Sequence, residues 1–377
     1  MSSEVYFADM RAGIRENLFD KLHLLLDRVG LSQKISAKDL VAIKMHFGER
    51  GNTAYIRPVF IRQIVDRLKA LNARPFLTDA NTLYVGARSD SVSHLNTAIE
   101  NGFAYSVVGA PVIIADGLLG SSAVEVPVNG KHFETVSVGA EIAHADALIS
   151  VAHFKGHELA GFGGAIKNVG MGSASRKGKL AQHSNVSPKV SKKRCIGCGE
   201  CVDHCAQQAI SIEEGEKSWI DPEKCVGCGE CILVCPEGAI NVQWNESIPV
   251  FMEKMVEYTK GVLKGKGPKS LFVNFLTQIS PACDCYGHCD APIVGDIGIL
   301  ASTDPVAIDQ ASVDLVNQRS IMAGSCLDGK DECVSDKFRG IYPQIDWKLQ
   351  LEYAENIGLG SRAYELVAVK KEQPDKK

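Results

Sequence analysis

The segment DALISVAH, residues 146–153, is a near-continuous apolar run of strand length, and it leads directly into FKGHELAGFGGAIKNVGMG, residues 154–172. A strand of this kind is typical of a parallel sheet that is buried on both faces. Amphipathic helical patterns occur at 15–30 and 58–72. Five further segments share the strand's length and composition: 39–47, 74–79, 111–116, 269–276 and 296–302. The sequence therefore predicts an α/β fold, with a mainly parallel sheet and helices on both faces.

Two stretches outside this pattern, 123–128 and 132–138, alternate apolar and polar residues on either side of Asn129-Gly130. Alternation with period two around an Asn-Gly dipeptide is a signal for a β-hairpin. We therefore expect an antiparallel hairpin between two of the predicted parallel strands.

The totals limit the class of protein. The chain has 377 residues, which is enough for two or three domains. Its net charge of −4 gives no reason to expect a nucleic-acid partner or an anionic membrane surface. No apolar run approaches the ~18–20 residues of a membrane-spanning helix, and the N-terminus lacks the apolar core of a signal peptide. We expect a cytoplasmic protein, and the sequence leaves its oligomeric state open.

Thirteen cysteines are many for a reducing compartment, where clustered thiols bind metals more often than they form disulfides. Eight of them form an internal repeat, because CIGCGECVDHCAQQAISI at 195–212 aligns with CVGCGECILVCPEGAINV at 225–242. Nine of the eighteen aligned positions are identical, including all four cysteines. Each copy has the spacing C-x2-C-x2-C-x3-C, which lets three thiolates converge from one tight loop on a metal cluster.

This repeat resembles the dicluster bacterial ferredoxins over about 190–245. The resemblance implies two [4Fe–4S] clusters, with the fourth cysteine of each run serving the other cluster. One cluster would take Cys195, Cys198, Cys201 and Cys235. The other would take Cys225, Cys228, Cys231 and Cys205. A pair of structural zinc sites is the alternative, since C-x2-C pairs also bind zinc.

The repeat divides the α/β pattern into two parts. We expect a first part of the α/β body at 1–189, an α+β dicluster ferredoxin insert at 190–245, and a second part of the body at 246–377. The stretch GKGPKS, 265–270, is the joint at which the chain returns to the body. Between 195 and 245 nine acidic residues face only two lysines, and negative surroundings favour a low cluster potential.

Polar side chains follow four of the predicted strands. Lys44 and His46 end the first, whereas His153, Lys155 and His157 end the strand at 146–153. SPACDCYGHCD (280–290) follows the strand at 269–276, and Ser302, Thr303 and Asp304 follow the last one. Ligands of open α/β sheets bind outside the carboxyl ends of strands, so these side chains predict a pocket for an anionic ligand.

Several of these residues also have simpler interpretations. His46 could be a half-buried histidine without a functional role. Asp304 precedes Pro305 and is expected to be the N-cap of a helix, with proline at the first helical position. Asp309 is expected on an ordinary face of that helix. In contrast, His153, Lys155 and His157 alternate, so they share one face of an extended segment and are hard to bury without a ligand.

The glycine-rich stretch AGFGGA, 160–165, precedes Lys167 and Asn168. Gly163 and Gly164 allow the backbone to approach a ligand closely, with amides free to bind an anion, and Lys167 and Asn168 follow where a helix could start. A flexible surface loop is the alternative interpretation.

A third group of cysteines, Cys283, Cys285 and Cys289, falls within CDCYGHCD. Three thiolates at this spacing could bind a further metal and leave one coordination position open. Alternatively, they are reactive or simply buried thiols beside the pocket. Cys326 and Cys333 have no comparable neighbours and are expected to be structural.

Most of the body resembles an uncharacterised bacterial and archaeal domain-of-unknown-function family, in which an α/β domain commonly contains a dicluster ferredoxin segment. The matching stretches are KMHFGERGNTAYIRP (44–58), HFKGHELAGFGGAIKNVGMG (153–172), CDCYGHCDAPIVGDIGILASTDPVAID (283–309) and the cysteine repeat. The resemblance implies the fold and the clusters, and it implies no reaction.

HELAGFGGAIK, 157–167, also resembles a segment of the nickel-pincer lactate racemase family. In that family the lysine contacts the pincer nucleotide, one histidine acts as acid and base, and a later histidine ligates nickel. The resemblance thereby implies roles for Lys167, His157 and His183. Two departures weaken it: Gly163-Gly164 stand one residue early, and Val169-Gly170 replace the proline-glycine of the racemases.

These observations favour an iron–sulfur redox protein in which two clusters exchange electrons with an anionic ligand or second cofactor. His46, His153, His157 and Lys167 are the candidate catalytic residues. The candidate ligand-binding or cofactor-binding residues are Lys44, Lys155, Gly163, Gly164, Asn168 and His183. Two other hypotheses remain: a non-enzymatic electron carrier that docks a redox partner protein, and a pincer-nucleotide-type isomerase with accessory clusters.

Overall fold

The computed structural model of the chain describes residues 2–184, 186–212, 216–330 and 335–369, so Cys333 lies outside the described residues. The strands are β1 (Ser3–Asp9), β2 (Leu40–Lys44), β3 (Arg74–Asp79), β4 (Val112–Ile114), β5 (Ala123–Pro127), β6 (Thr135–Gly139), β7 (Ala147–His153), β8 (Lys155–His157), β9 (Gly161–Gly163), β10 (Lys189–Val190), β11 (Ile210–Ser211), β12 (Trp219–Ile220), β13 (Ile240–Asn241), β14 (Ser270–Leu276), β15 (Gly298–Ser302) and β16 (Tyr364–Ala368).

The helices are α1 (Leu18–Arg28), α2 (Leu31–Lys34), α3 (Pro58–Ala70), α4 (Ser91–Glu100), α5 (Tyr105–Val108), α6 (Ala140–His144), α7 (Ala165–Gly170), α8 (Arg176–His183), α9 (Glu200–Asp203), α10 (Glu230–Val234), α11 (Ile248–Leu263), α12 (Pro305–Asn317), α13 (Lys337–Ile341) and α14 (Lys348–Asn356). Both helices predicted from amphipathic patterns are present. α1 begins after the capping side chain of Asn17, and α3 begins at Pro58, where a missing amide hydrogen costs nothing.

An eight-stranded sheet organises these elements in the order β16-β1-β15-β14-β7-β2-β3-β4. Five of the seven neighbouring pairs are parallel, and the two antiparallel pairs both involve β15. All six predicted strands belong to this sheet, which confirms the mainly parallel α/β prediction. β1 and β16, at one side of the sheet, were not predicted.

The direction of β15 corrects one prediction about the site. Because β15 runs antiparallel to β14, Ser302 pairs with Phe272 near the beginning of that strand. Ser302, Thr303 and Asp304 therefore lie at the opposite edge from the other three strand ends. Asp304 caps α12, as expected, by accepting hydrogen bonds from the amides of Val306 and Ala307.

Two cores cover the faces of the sheet. Leu148 packs in one core, together with residues of α7, α11 and α12. Its neighbour Ile149 packs in the other, against α1 and α3. Adjacent residues of β7 are thus both buried, on opposite faces, which explains why an uninterrupted apolar run was needed there.

Two hairpins stand apart from the large sheet. The predicted hairpin is confirmed, because β5 and β6 pair antiparallel, and Asn129 in the connection has a positive φ of 47°. β8 and β9 form a second, shorter hairpin immediately after β7. It places Lys155 and His157 beside the glycine-rich stretch rather than within the sheet.

Residues 189–241 lie in sequence between β7 and β14, which are parallel neighbours in the large sheet. Their four short strands pair only with one another, β10 with β13 and β11 with β12. Their apolar side chains form a small core that includes Leu83 and Leu180 of the surrounding body. The large sheet therefore draws its strands from both sides of this segment. Among the described residues, no helix has both the length and the apolar character that a membrane span requires.

Candidate functional site

Asp284 lies at the edge where β7 and β14 end. Its fully buried carboxylate is 2.8 Å from His153 Nδ1 and 3.1 Å from Lys155 Nζ. Burial alone raises the pKa of Asp284, but His153 and Lys155 hold that pKa far below the ordinary carboxyl range. His153 Nε2 lies 2.9 Å from the Thr277 carbonyl oxygen, so both ring nitrogens face oxygen atoms of the protein. Because both nitrogens are engaged within the protein, this geometry does not favour the predicted role of His153 as an acid or base.

The buried side chain of Lys44 is held by polar partners within the protein. Its Nζ lies 2.9 Å from Asp79 Oδ1 and 3.0 Å from Asn168 Oδ1. The Asn168 amide in turn donates to the Lys44 carbonyl oxygen and to Ser150 Oγ, both at 2.9 Å. These bonds tie α7 to β2 and β7. Lys44 and Asn168 therefore position the site, and neither has the free polar atoms that direct ligand binding would need.

Arg88, which the sequence did not single out, adds a third buried cation. It is 2% exposed, and it lies 3.1 Å from Glu49 and 3.7 Å from Asp79. Its guanidinium also donates to Tyr84 Oη at 2.7 Å. Asp79 ends the predicted strand 74–79, so its position at the carboxyl end of a strand could have identified Asp79 as a residue of the site. Arg88 follows in a loop without a pattern of its own.

The glycine-rich stretch packs closely, and two backbone amides at its C-terminal end are already hydrogen-bonded. A Cβ atom at Gly164 would lie 2.2 Å from Asp309 Oδ1. That carboxylate accepts hydrogen bonds from the amides of Ala165 at 2.7 Å and Ile166 at 2.9 Å. An internal carboxylate therefore occupies the amides of Ala165 and Ile166, whereas the ligand-binding role of Gly163 and Gly164 stays a prediction. The expectation for Asp309 is wrong, since it is fully buried.

Lys167, His157 and His183 lie together beyond this stretch. His157 Nδ1 accepts from the amides of Leu159 and Ala160 at 3.2 Å, so Nε2 has the hydrogen. Burial, followed by the charge of Lys167, lowers the pKa of His157, and the same two causes lower that of His183 to about 3. Both rings are therefore neutral bases rather than cations near neutral pH.

Two cysteines face this group. Cys283 Sγ lies 2.9 Å from Cys285 Sγ and 3.6 Å from Lys167 Nζ. His46 Nε2 lies 3.5 Å from Cys285 Sγ, and its Nδ1 accepts from the Gly48 amide at 2.9 Å. Because Nδ1 is an acceptor, Nε2 has the hydrogen and points it at the sulfur. Cys283 is 1% exposed, whereas Cys285 is partly exposed.

Cys289, the third member of the group, contacts a different neighbour: its Sγ lies 3.0 Å from Thr53 Oγ1. The loops on which these two residues lie touch backbone to backbone. A Cβ atom at Gly51 would lie 2.5 Å from the Gly287 carbonyl oxygen, and one at Gly287 would lie 2.7 Å from that of Arg50. Glycine at both positions therefore closes this side of the pocket.

The eight repeated cysteines line two cavities. The first, with about 280 Å³ of space that includes open solvent, is lined by Cys195, Cys198, Cys201 and Cys235. The second, with about 370 Å³ measured in the same way, is lined by Cys205, Cys225, Cys228 and Cys231. Each cavity thus combines three cysteines of one run with the last cysteine of the other.

The spacing of these thiols bears on what they could hold. Within the described part of the chain, no three His, Cys, Asp or Glu side chains are gathered tightly enough for a single metal ion. Ligands of one zinc ion must all lie within about 2.3 Å of it. A cubane needs a wider arrangement, because its own iron and sulfur atoms fill the space between the ligands. The cavities therefore fit a cluster better than one ion.

Helix α8 connects the second cavity with the pocket. A Cβ atom at Gly229, which lines that cavity, would lie 3.2 Å from Arg176 Cδ at the start of α8. At the other end of α8, the His183 ring stacks on Phe251, with centroids 4.9 Å apart. Phe251 is in turn parallel to the His157 ring at 6.5 Å. One helix therefore links the cysteine segment to the bases at the sheet edge.

Comparison with protein families gives a match over most of the α/β body. The model of a family described as "Domain of unknown function (DUF362)" matches residues 41–314. The chain belongs to the DUF362 family. The matched DUF362 region begins in β2 and ends in α12, so it includes Lys44, Lys167, Cys285 and the whole cysteine repeat.

Solved structures similar to this DUF362 member are distant. The lactate racemase apoprotein from Thermoanaerobacterium thermosaccharolyticum is 14% identical, with a TM-score of 0.31, over 62% of this chain and 48% of that one. A protein from Thermotoga maritima is 10% identical, with a TM-score of 0.36, over 70% of this chain and 52% of that one. The chain thus spans about half the length of these structures. Comparison with curated proteins gave no match.

Proposed function

We propose that this DUF362 protein is an iron–sulfur redox protein. Two [4Fe–4S] clusters bound by the eight repeated cysteines would exchange electrons with an anionic ligand in the pocket at the sheet edge. The observation that supports this most is the grouping of the cysteines into two cavities, each lined by four thiols drawn from both runs. This is the crossed arrangement of two-cluster ferredoxins.

The walls of the cavities suit the proposed clusters. The Ser218 hydroxyl lies 3.4 Å from both Cys195 Sγ and Cys201 Sγ. Backbone amides lie at similar distances from the last cysteine of each run, 3.3 Å from Cys205 Sγ and 3.2 Å from Cys235 Sγ. Donors aimed at ligand sulfurs stabilise the negative charge that a cluster brings. When bound, each cluster supplies transfer of one electron at a time.

The pocket is cationic, which supports an anionic ligand. Lys167 is half-buried, and although burial alone lowers its pKa, the Cys283 and Cys285 thiols raise that pKa above the ordinary lysine value. Lys167 is therefore charged at neutral pH and could neutralise a carboxylate or phosphate. His157, whose Nε2 has the hydrogen, could donate a hydrogen bond to such a ligand, and the neutral ring of His183 lies beside it. Lys155 is nearby, but Asp284 already balances its charge.

We further propose that the chain consists of the α/β body at 1–189 and 246–377, with the ferredoxin-like module at 190–245 inserted. The four short strands of that segment are excluded from the large sheet, and its core reaches the body through Leu83 and Leu180. α8 would bring the second cluster close to the pocket, because one end contacts the Gly227–Gly229 loop and the other holds His183.

Metal analysis tests the clusters. The full chain is purified without oxygen, and iron, acid-labile sulfide, zinc and nickel are quantified per chain. We expect about eight irons and about eight sulfides, with an electron paramagnetic resonance signal on reduction. About two zinc ions without sulfide would replace the proposal by structural zinc sites. Nickel in stoichiometric amount would support the pincer-type hypothesis instead.

A second measurement tests the coupling between clusters and pocket. Reductive titration of the clusters is repeated with small carboxylates and phosphates, in the native protein and in Lys167→Met. We expect at least one anion to shift the titration in the native protein and to lose its effect in the variant. Lys177→Met is the matched control, since Lys177 is exposed and pairs with Glu125 outside the pocket. If no anion shifted the titration, the carrier hypothesis would be favoured.

A further inference from the structure

The sulfur pair at the pocket has surroundings unlike those of the other described cysteines. Cys283 and Cys285 are separated by one residue, and their sulfurs are 2.9 Å apart. Cys283 Sγ also receives the Lys167 ammonium at 3.6 Å and the Cys285 amide at 3.4 Å. Cys285 Sγ receives the Nε2 hydrogen of His46 at 3.5 Å. Two sulfurs are thus in contact, and each accepts a hydrogen bond from a neighbouring side chain, of which Lys167 is a cation.

These surroundings argue against a metal ion at the pair. An ammonium group cannot act as a ligand, and the positive charge of Lys167 repels a cation at the same sulfur. The third cysteine that a metal would need, Cys289, contacts Thr53 instead. Both features leave the pair as a chemically separate unit.

We propose that Cys283 and Cys285 form a redox-active dithiol, which interconverts with a Cys283–Cys285 disulfide in the pocket. Closing the bond removes two electrons from the pair together with the proton of Cys283, because Cys285 reacts as the thiolate, and opening it returns them. The acceptor that we assign is a small anionic disulfide, because the cationic Lys167 lies at the pair. The electrons that reopen the bond would come from one-electron iron–sulfur donors, and only this supply rests on the proposed function.

The two cysteines have different exposures, which assigns them different steps. Cys285 is partly exposed and Cys283 is 1% exposed. The Cys285 thiolate therefore attacks the external disulfide, whose S–S bond breaks as one thiolate leaves. Cys283 then loses its proton, and its sulfur attacks Cys285 Sγ, which expels the second thiolate and forms the internal disulfide. In sum, one external disulfide becomes one thiol, which takes up the proton of Cys283, and one thiolate, while the pair is oxidised to the internal disulfide.

The donors around the pair support this order. The hydrogen bond from Cys283, and then the charge of Lys167 and the hydrogen bond from His46, lower the pKa of Cys285, whereas the pKa of Cys283 is raised. Thiol attack requires the thiolate, so the exposed sulfur is the one prepared to react. The resolving sulfur is already in contact with it.

Redox equilibration tests the pair directly. The full chain is equilibrated anaerobically with mixtures of reduced and oxidised glutathione, and then of dithiothreitol. Free thiols are blocked with N-ethylmaleimide, and the peptides are analysed by mass spectrometry. Cleavage after Tyr286 separates Cys289 from the pair. We expect the peptide with Cys283 and Cys285 to change from doubly alkylated to internally linked as the mixture becomes oxidising.

Variants assign the steps. Cys289→Ala, in the same loop, is expected to keep the linkage and serves as the matched control. In Cys283→Ser, a stable mixed disulfide of glutathione on Cys285 is expected. In Lys167→Met, half of the pair should be oxidised in a mixture that is about tenfold more reducing than for the native chain. The reason is that the substitution removes a charge that stabilises the reduced thiolate. Lys177→Met should leave the midpoint unchanged.

Two results would overturn the proposal: double alkylation of the native pair in every mixture, or a metal ion that protects both thiols from alkylation. The first needs only the native chain, so it does not depend on the folding of a variant. Iron and sulfide are measured on the same samples. Linkage without iron leaves the dithiol intact and removes the proposed clusters. Iron and sulfide without the Cys283–Cys285 linkage would support the proposed clusters and overturn the dithiol.

Discussion

The molecule presents sulfur in two contrasting settings. In the segment at 189–241, eight cysteines line two cavities in groups of four, and no lysine or arginine is among the cavity-lining residues. At the sheet edge, Cys283 and Cys285 touch each other between Lys167 and His46. The first setting leaves the positive charge to be supplied by a bound group. The second supplies it from the chain itself.

Thiol acidity reflects this difference. Burial, and then neighbouring cysteines, raise the pKa values of Cys225 and Cys231. A partner hydrogen bond and nearby cations lower the pKa of Cys285. Four neighbouring thiols with no lysine or arginine among the lining residues do not readily ionise together, which is consistent with the proposed metal clusters, whereas one thiol beside a lysine ionises alone. The same side chain is thus directed to two kinds of chemistry by its neighbours.

The largest expected effect concerns the cavities. Cys228→Ser removes an exposed thiol from the second cavity. We expect the iron content to fall by about half, from about eight to about four per chain, because one of two clusters loses a ligand. Metal and sulfide analysis after anaerobic purification measures this. Cys326→Ser, outside both settings, should retain all the iron, and equal iron in both variants would remove the proposed role of the cavity.

The next effect concerns the charge balance behind the pocket. Asp284→Asn leaves His153 and Lys155 buried without a carboxylate, and losing one partner of a buried ion pair costs about 3–5 kcal/mol. We expect a decrease of this size in the free energy of unfolding, measured with a chemical denaturant. The control is Glu100→Gln, whose pair with Arg50 is exposed and should be worth less than about 1 kcal/mol. A similar loss in both variants would show that the pocket charges are solvated.

A third prediction sharpens the contrast in acidity. Because the pKa of Cys285 is lowered, its alkylation by iodoacetamide should slow less between about pH 8 and pH 6 than that of an ordinary thiol. An ordinary thiol slows about tenfold for each unit in this range. In Lys167→Met the pH dependence should approach the ordinary one. Peptide-resolved alkylation rates provide the measurement, and a steep profile in the native chain would contradict the assigned acidity.

The smallest effect concerns the opposite edge of the sheet. Asp304 accepts from the amides of Val306 and Ala307 and from Ser3 Oγ, all far from the pocket. Asp304→Ala should cost about 1–2 kcal/mol of stability, as the loss of a helix cap does. Iron content and Cys285 alkylation should remain at their native values. A change in either would mean that the two edges of the sheet are coupled.

Much of the fold could be predicted because its signals are local. A strand buried on both faces must be apolar throughout, and six such runs were readable without any knowledge of their partners. β1 and β16 lack this signal, since both have partly exposed residues. The direction of β15 was not predictable either, because a run of five apolar residues has the same composition in either orientation.

The candidate site was predictable only in part. His46, His157, Lys167 and Cys285 were recognised as reactive side chains next to strand ends, and they do meet. The carboxylates that determine their charge were missed. Asp284 lies between two conspicuous cysteines, yet its partner His153 is 131 positions away in sequence. The partner of the Ala165 and Ile166 amides was equally hidden, because Asp309, which accepts from both, is more than 140 positions distant.

The neighbours β7 and β14 form a parallel pair although residues 154–269 separate them. A ribosome therefore releases the first five strands of the sheet well before the partner of β7 exists. Until that partner emerges, the apolar edge of β7 is open to wrong pairing with other nascent chains. Chaperones should accordingly be needed most while residues 154–269 are being translated. If those residues folded early, the edge of β7 would be exposed for a shorter time.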